Sequence, residues 1–211
     1  MAWIVKIGVE PSMTLQEKEN NVLEFYGFFG GRGLYTLECI CAMLGNIEAE
    51  SKINPGDKED NRPPDEQVGW GLVQWTPANK IIFWTGIHGW EWHDGTAQCE
   101  CLAEDMEMPT GEWLDSYYYP EFSYTQEEFR SMTDIELATR CFCWQYLRPL
   151  KSAGDSSMPF RIQQANYWYQ YLSGQPVPPT PPTPPTPPIS FDFSLYANAF
   201  LFAFRKRRRK R

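Results

Sequence analysis

Apolar residues recur at helical spacing in several stretches of the chain, separated by short polar or glycine-rich breaks. Val22, Leu23, Tyr26 and Phe29 follow one another at steps of one, three and three, and Thr14 with Glu17 ahead of them makes a capping-box pattern. Gly30-Gly31-Arg32-Gly33 breaks that helix. From about 35 to 51 a second helix places Ile40, Met43, Leu44 and Ile47 on one face, and Asn54-Pro55-Gly56 ends it. Residues 56–68 read as a polar loop, after which Gly69-Trp70-Gly71-Leu72-Val73-Gln74-Trp75 alternates as a short strand or turn does. Further helices are predicted near 78–88, 96–107, 124–130, 133–146 and 160–172. The fold class is therefore mainly α (α+β), with a small β-hairpin excursion after the second helix. The start, Trp3-Ile4-Val5-Lys6-Ile7, has no basic residues ahead of its apolar run, so it reads as a short strand or packed arm rather than a secretory signal.

Periodicity stops at 175–188, where Pro-Pro-Thr repeats, poor in backbone donors, predict a polyproline II spacer of roughly 40 Å. This linker divides a domain at 1–174 from a tail at 189–211. Residues 189–204 are apolar and aromatic, but as a helix they reach only about 24 Å, short of the roughly 30 Å hydrocarbon core. Seven consecutive bases, Arg205 to Arg211, follow. Apolar plus polybasic is the two-signal logic of membrane-surface attachment, and docking onto a neighbouring protein or an anionic polymer is the competing reading.

Composition sharpens that division. The 211 residues carry 19 Lys+Arg against 27 Asp+Glu; without the terminal seven bases, 12 face 27, a net charge of −15 over 1–204. A body so acidic is a poor polyanion binder, which disfavours nucleic acid as a partner. Nine Trp, eleven Tyr and thirteen Phe exclude wholesale disorder.

The most specific chemistry lies in Met43-Leu44-Gly45-Asn46-Ile47-Glu48-Ala49-Glu50-Ser51, followed by the Gly69–Thr76 turn. A Glu at the C-terminal end of an apolar helix, facing a glycine-rich turn that bears Gln and Trp, is an arrangement suited to glycosidic-bond cleavage. An apolar wall is expected to raise the pKa of Glu50, so that it stays protonated as a general acid. The glycines admit sugar to the backbone, the indole offers a stacking face, and the Gln amide can read a polar substituent.

These segments resemble the phage tail lysozyme family, the lysozyme-like domain of tail-knob peptidoglycan-degrading proteins of phi29-type podophages. The resemblance rests on Cys41-x-Met43-Leu44-Gly45-Asn46, Glu50-Ser51-x-Ile53-Asn54-Pro55-Gly56, Gly69-x-Gly71-Leu72-Val73-Gln74-Trp75-Thr76-Pro77-Ala78, Tyr146-x-Arg148-Pro149 and Tyr167-Trp168-Tyr169-x-x-Leu172-Ser173-Gly174, and spans about 13–174. It implies a lysozyme-like fold and cleavage of the β-1,4 bond between N-acetylmuramic acid and N-acetylglucosamine, by hydrolysis or transglycosylation. Glu50 becomes the catalytic acid, with Gln74, Trp75, Thr76, Tyr146 and Arg148 as substrate-binding residues. Peptidoglycan is the implied substrate, other phage tail proteins are possible partners, and the virion or the lysed host is the setting. No metal or organic cofactor is implied. A non-catalytic tail or wall-binding component, or a lysis-stage endolysin with a membrane-active tail, are the alternatives.

Several positions stay open at this level. Glu48, two residues before Glu50, points to nearly the opposite side of the helix and is expected to be solvated. Any acidic member of the 57–66 loop can serve as a second carboxylate. Tyr146 either donates a hydrogen bond near Glu50 or is a core tyrosine; Arg148 either positions glycan or caps a helix ended by Pro149. Trp84, Trp90, Trp92, Trp113, Tyr117, Tyr118 and Tyr119 can line a glycan groove, although most such rings serve as core. His88 and His93 lack zinc-peptidase spacing and read as packing or surface residues. The six cysteines form three Cys-x-Cys pairs, open to free buried thiols, disulfides or a metal cluster.

Overall fold

A computed structural model describes residues 2–107 and 112–174. The predicted linker at 175–188 and the tail at 189–211 lie outside the described residues. The order of elements is β1 (Gly8–Val9), α1 (Leu15–Gly31), α2 (Leu37–Ser51), β2 (Asp57–Lys58), α3 (Asn79–Ile87), α4 (Gly95–Glu107), α5 (Gln126–Arg130), α6 (Ile135–Cys141) and α7 (Lys151–Leu172). A 3₁₀ turn at Pro120–Phe122 and a π-helical segment at Phe142–Leu147 complete the set. The mainly helical reading holds.

Local signals set the helix starts. Thr14 and Glu17 form the expected reciprocal capping box at α1, and Thr36 caps α2 through the Cys39 N–H. The second helix is buried nearly all round: every residue from Cys39 to Glu48 is buried. It forms the central stave, against which α1, α6 and α7 pack. Gly45 lets the backbones of α2 and α7 meet closely, since a Cβ there would stand 2.4 Å from the Arg161 carbonyl oxygen and 2.6 Å from the Ala165 nitrogen of α7. Gly45→Ala must push the two helix backbones apart. A loss of about 2 kcal/mol or more in stability is expected in urea unfolding; an unchanged midpoint would show that α7 yields freely.

Three elements depart from the sequence reading. The last helix starts at Lys151 rather than 160, running through Pro159, whose exposed position places the interrupted backbone turn in solvent. Gly154 anchors this extra length by lying under the Trp144 ring, where a Cβ would come within 2.1 Å of Cη2. The helix predicted over 133–146 changes at Phe142 into a wider π turn that buries five consecutive residues, Phe142 to Tyr146. The β excursion is a pair of isolated antiparallel bridges, Lys58 to Trp70 and Trp70 to Trp75, and the named sheet is parallel, with β1 of the amino-terminal arm against β2. Asn54 clamps that arm: its side chain accepts from the Lys6 N–H at 3.0 Å and donates to the Lys6 carbonyl at 2.8 Å.

All six cysteines are free and buried, behaving as small apolar groups; burial pushes the thiols up, Cys143 to about 11 and Cys141 to about 12. Among the described residues no cluster of His, Cys, Asp and Glu is arranged to hold a metal ion, and no helix is long and apolar enough to cross a membrane. His88 lies exposed against the Trp84 ring and His93 sits edge-on to Trp92.

Candidate active site

The C-terminal end of α2 carries the site. Lys52 and Ile53 both take left-handed backbone conformations, with φ of 57° and 59°, and turn the chain sharply after Ser51. Ser51 donates its hydroxyl to the Leu72 carbonyl at 2.8 Å, fastening the Gly69–Thr76 turn to the helix end. Gln98 of α4 holds the turn from the other side: its Oε1 accepts the Leu72 N–H at 2.8 Å, and its Nε2 donates to the carbonyls of Pro55 and Trp92 at 2.8 and 2.7 Å. Gly71, at φ +83°, is where the turn rests on that amide; a Cβ would sit 2.8 Å from Gln98 Oε1.

Glu50 and Glu48 diverge as helix geometry requires. Glu50 faces α7, where Arg161 Nη2 donates to its Oε1 at 2.6 Å. The environment is therefore a guanidinium and not the apolar wall expected. Arg161 is itself only 5% exposed, and its fork is fully engaged: Nη1 donates to Asn46 Oδ1 at 3.1 Å and Nε to Ser157 Oγ at 2.9 Å. The Glu50 charge helps hold this guanidinium protonated against the cost of burial. Asn46 passes the restraint on, donating to the carbonyls of Ala42 and Thr139. The second Glu50 oxygen has no hydrogen-bond partner among the described residues, and 21% of the side chain is exposed. Glu48, expected in solvent, is instead buried, paired with Lys18 of α1 at 2.5 Å, with its Oε2 unpartnered. The amphipathic reading failed there because α1 covers the face that the apolar pattern left vacant.

The acidic loop resolves into two environments. Asp57 is buried, with Oδ1 unpartnered and Oδ2 3.4 Å from Gln74 Nε2, and burial pushes its carboxyl up to about 7, Lys52 opposing. Glu59 is solvent-accessible, accepts the Gly69 N–H at 2.9 Å, and is pushed up by partial desolvation, with the Glu50 charge acting in the same direction. For Asp57 the sign is definite: a raised carboxyl favours the fold in its protonated form, so this stabilisation is complete below about pH 4 and is lost as pH climbs through about 7. Asp57→Asn should flatten the decline in melting temperature between pH 5 and 8, and a parallel decline in both proteins would mean that Asp57 is not its source.

The remaining expected site residues divide. Gln74, at φ 51°, donates to the Gly71 carbonyl at 2.9 Å, and Thr76 donates to the Gln74 carbonyl at 3.0 Å, so both shape the turn beside Glu50. Trp75 is buried and packs inward. Its indole lies close enough to Asp105 to favour that carboxylate's charged form, although its N–H makes no hydrogen bond of normal geometry. Tyr146 donates to Asp105 Oδ2 at 2.8 Å rather than toward Glu50, and burial raises both groups. Arg148 ends the π segment in a left-handed conformation, with its N–H bonded to the Cys143 carbonyl and its side chain on Glu112 at 2.8 Å. The capping reading of Arg148 and the core reading of Tyr146 describe these contacts. Sequence reasoning missed Arg161, Asn46, Gln98 and Asp105; a lone Arg or Gln inside a helical run carries no local mark of its partner.

The helical body thus holds one partly exposed carboxylate, fixed by a buried arginine beside a glycine-rich turn. The family model for phage tail lysozymes matches residues 20–172, and the chain belongs to that family. Morphogenesis protein 1 of Bacillus phage B103 is 28% identical over 165 residues, 77% of this chain and 42% of that protein. The chain thus spans about two fifths of the length of this curated relative.

Proposed function

We propose that this protein cleaves the β-1,4 bond between N-acetylmuramic acid and N-acetylglucosamine in peptidoglycan, with Glu50 as general acid, and that it rides on the phage tail to open the cell wall. The observation that supports this most is the division of labour at Glu50: Oε1 is fixed by Arg161 at 2.6 Å while the other oxygen is left for a substrate. An acid step here starts from an ion-paired carboxylate rather than from one in an apolar pocket. Protonation of the leaving oxygen generates an oxocarbenium-like centre, attacked by water in hydrolysis or by the muramyl hydroxyl in transglycosylation.

In this reading Glu59 is the second carboxylate, since it is reachable from solvent and accepts the Gly69 N–H at the start of the turn that Ser51 fastens to the end of the Glu50 helix. Gln74, Thr76 and the turn they stabilise position the sugar; Trp75, Tyr146 and Arg148 support the wall behind it. Glu59→Gln is expected to lower kcat on soluble glycan at least about tenfold with KM little changed, and an unaltered kcat would remove Glu59 from the mechanism. Residues 189–211, seven of them bases, serve to hold an acidic catalytic body near anionic wall polymers or the virion. The direct test of the whole reading is turbidity of purified cell walls: clearing by the wild-type protein is expected, and binding without clearing would favour a non-catalytic wall-binding component.

A further inference from the structure

A concave feature lies away from Glu50. It is a cleft of about 470 Å³ between the C-terminal end of α1 and helices α3 and α4. Arg32 and Glu107, which line it, stand at the N-terminal end of α2: Arg32 precedes that helix, and Glu107 accepts from Tyr35 at 3.1 Å. Glu50 ends the same 15-residue helix, so the two places are separated by about 20 Å.

The lining combines indole faces with fixed polar groups. Trp90 is 40% exposed, and Trp84 is half-buried with His88 lying over its ring at 4.2 Å. The Trp84 N–H donates to Glu104 Oε2 at 2.8 Å, which orients that carboxylate and leaves its other oxygen open. Arg32 is held by two hydrogen bonds to Glu107, at 3.0 and 2.9 Å, and its Nη1 reaches Glu100 only at 3.5 Å. The cleft therefore presents the exposed Trp90 ring, oriented acceptors and a guanidinium donor together.

We infer that this cleft is a second glycan-binding site that takes a neutral pyranose. A sugar ring has an apolar C–H face suited to an indole, and its hydroxyls both donate and accept, as the mixture of Glu104, Glu100 and Arg32 requires. The three carboxylates oppose an anionic polymer, and Arg32 opposes a free cation at the same spot. The site goes beyond the Glu50 reading and rests on it for the choice of probe and for the other site in the count. A wall-degrading protein with two glycan contacts on one body stays on the strand while the catalytic end works.

The test is calorimetric titration of the N-acetylglucosamine tetramer into the full chain bearing Glu50→Gln, so that the probe is not consumed. Two sites per chain are expected, and adding Trp90→Ala should leave one, with the second weakened roughly fivefold or more. Trp90 is partly exposed, so folding should survive; Glu104→Gln, which keeps the side-chain shape, gives an independent variant expected to weaken the same site. In the otherwise wild-type chain, Trp90→Ala should spare cleavage of short soluble glycans and reduce retention on insoluble walls. Unchanged stoichiometry and affinity in both variants would overturn the inference. Loss of the second site in a chain that never clears walls would overturn the catalytic reading alone.

Discussion

Glu50→Gln is expected to slow clearing of purified cell walls at least about a hundredfold, the scale of a lost general acid. The substitution is a sharp probe because the amide oxygen can still accept from Arg161 Nη2, where the carboxylate bond is 2.6 Å long. The ion pair becomes a hydrogen bond from the charged guanidinium to a neutral amide oxygen, and the chain should remain folded well above assay temperature. What disappears is the capacity to deliver a proton. Circular dichroism on the same sample separates the two effects: a native spectrum with lost clearing supports catalysis by Glu50, whereas equal clearing by both proteins would end that assignment.

The second large effect belongs to Arg161, a positioning residue. Arg161→Ala removes a guanidinium that is 5% exposed and joins α7 to Glu50, Asn46 and Ser157. Asn46 Oδ1 loses its donor and the packing around the long side chain collapses into a void. A destabilisation of about 2–4 kcal/mol is expected, toward the lower end because Glu50 keeps contact with water. Arg161→Lys retains the charge but lacks the fork, so it cannot serve Glu50, Asn46 and Ser157 together. It should fold more stably than the Ala variant and still show a displaced pH profile for kcat. Ser157→Ala, which touches the arginine and not Glu50, should leave that profile in place. An Ala variant as stable as wild type would show that the arginine does not bridge the helices.

Much of the architecture is written in local signals. Thr14 with Glu17 lies within one turn of chain and the apolar steps from Ile40 to Ile47 within about two, and both helices form where those signals place them. The parallel pairing of β1 with β2 was not legible, because it joins Gly8 to Asp57 across 49 positions with two residues in each strand. The start of α7 was missed for a related reason. Pro159 reads locally as a helix breaker, and only Gly154 beneath Trp144 reveals what secures the preceding turns. At the site, the sequence could point to Glu50 through the residues around it, but its neighbour lies 111 positions away on another helix. The burial of Glu48 shows the same limit from the opposite side, for its partner Lys18 lies 30 positions away on another helix. The acidic loop offered several equivalent carboxylates on paper; depth of burial distinguishes Asp57 from Glu59.

The measurement closest to the central claim is mass spectrometry of the fragments released from purified peptidoglycan by the full chain. The account predicts new glycan ends at N-acetylmuramic acid, reducing if water attacks and anhydro if the muramyl hydroxyl does, with the peptide stems intact and no such ends from the Glu50→Gln protein. Fragments that differ only by cut peptide bonds, or glycan ends formed equally by both proteins, would contradict it.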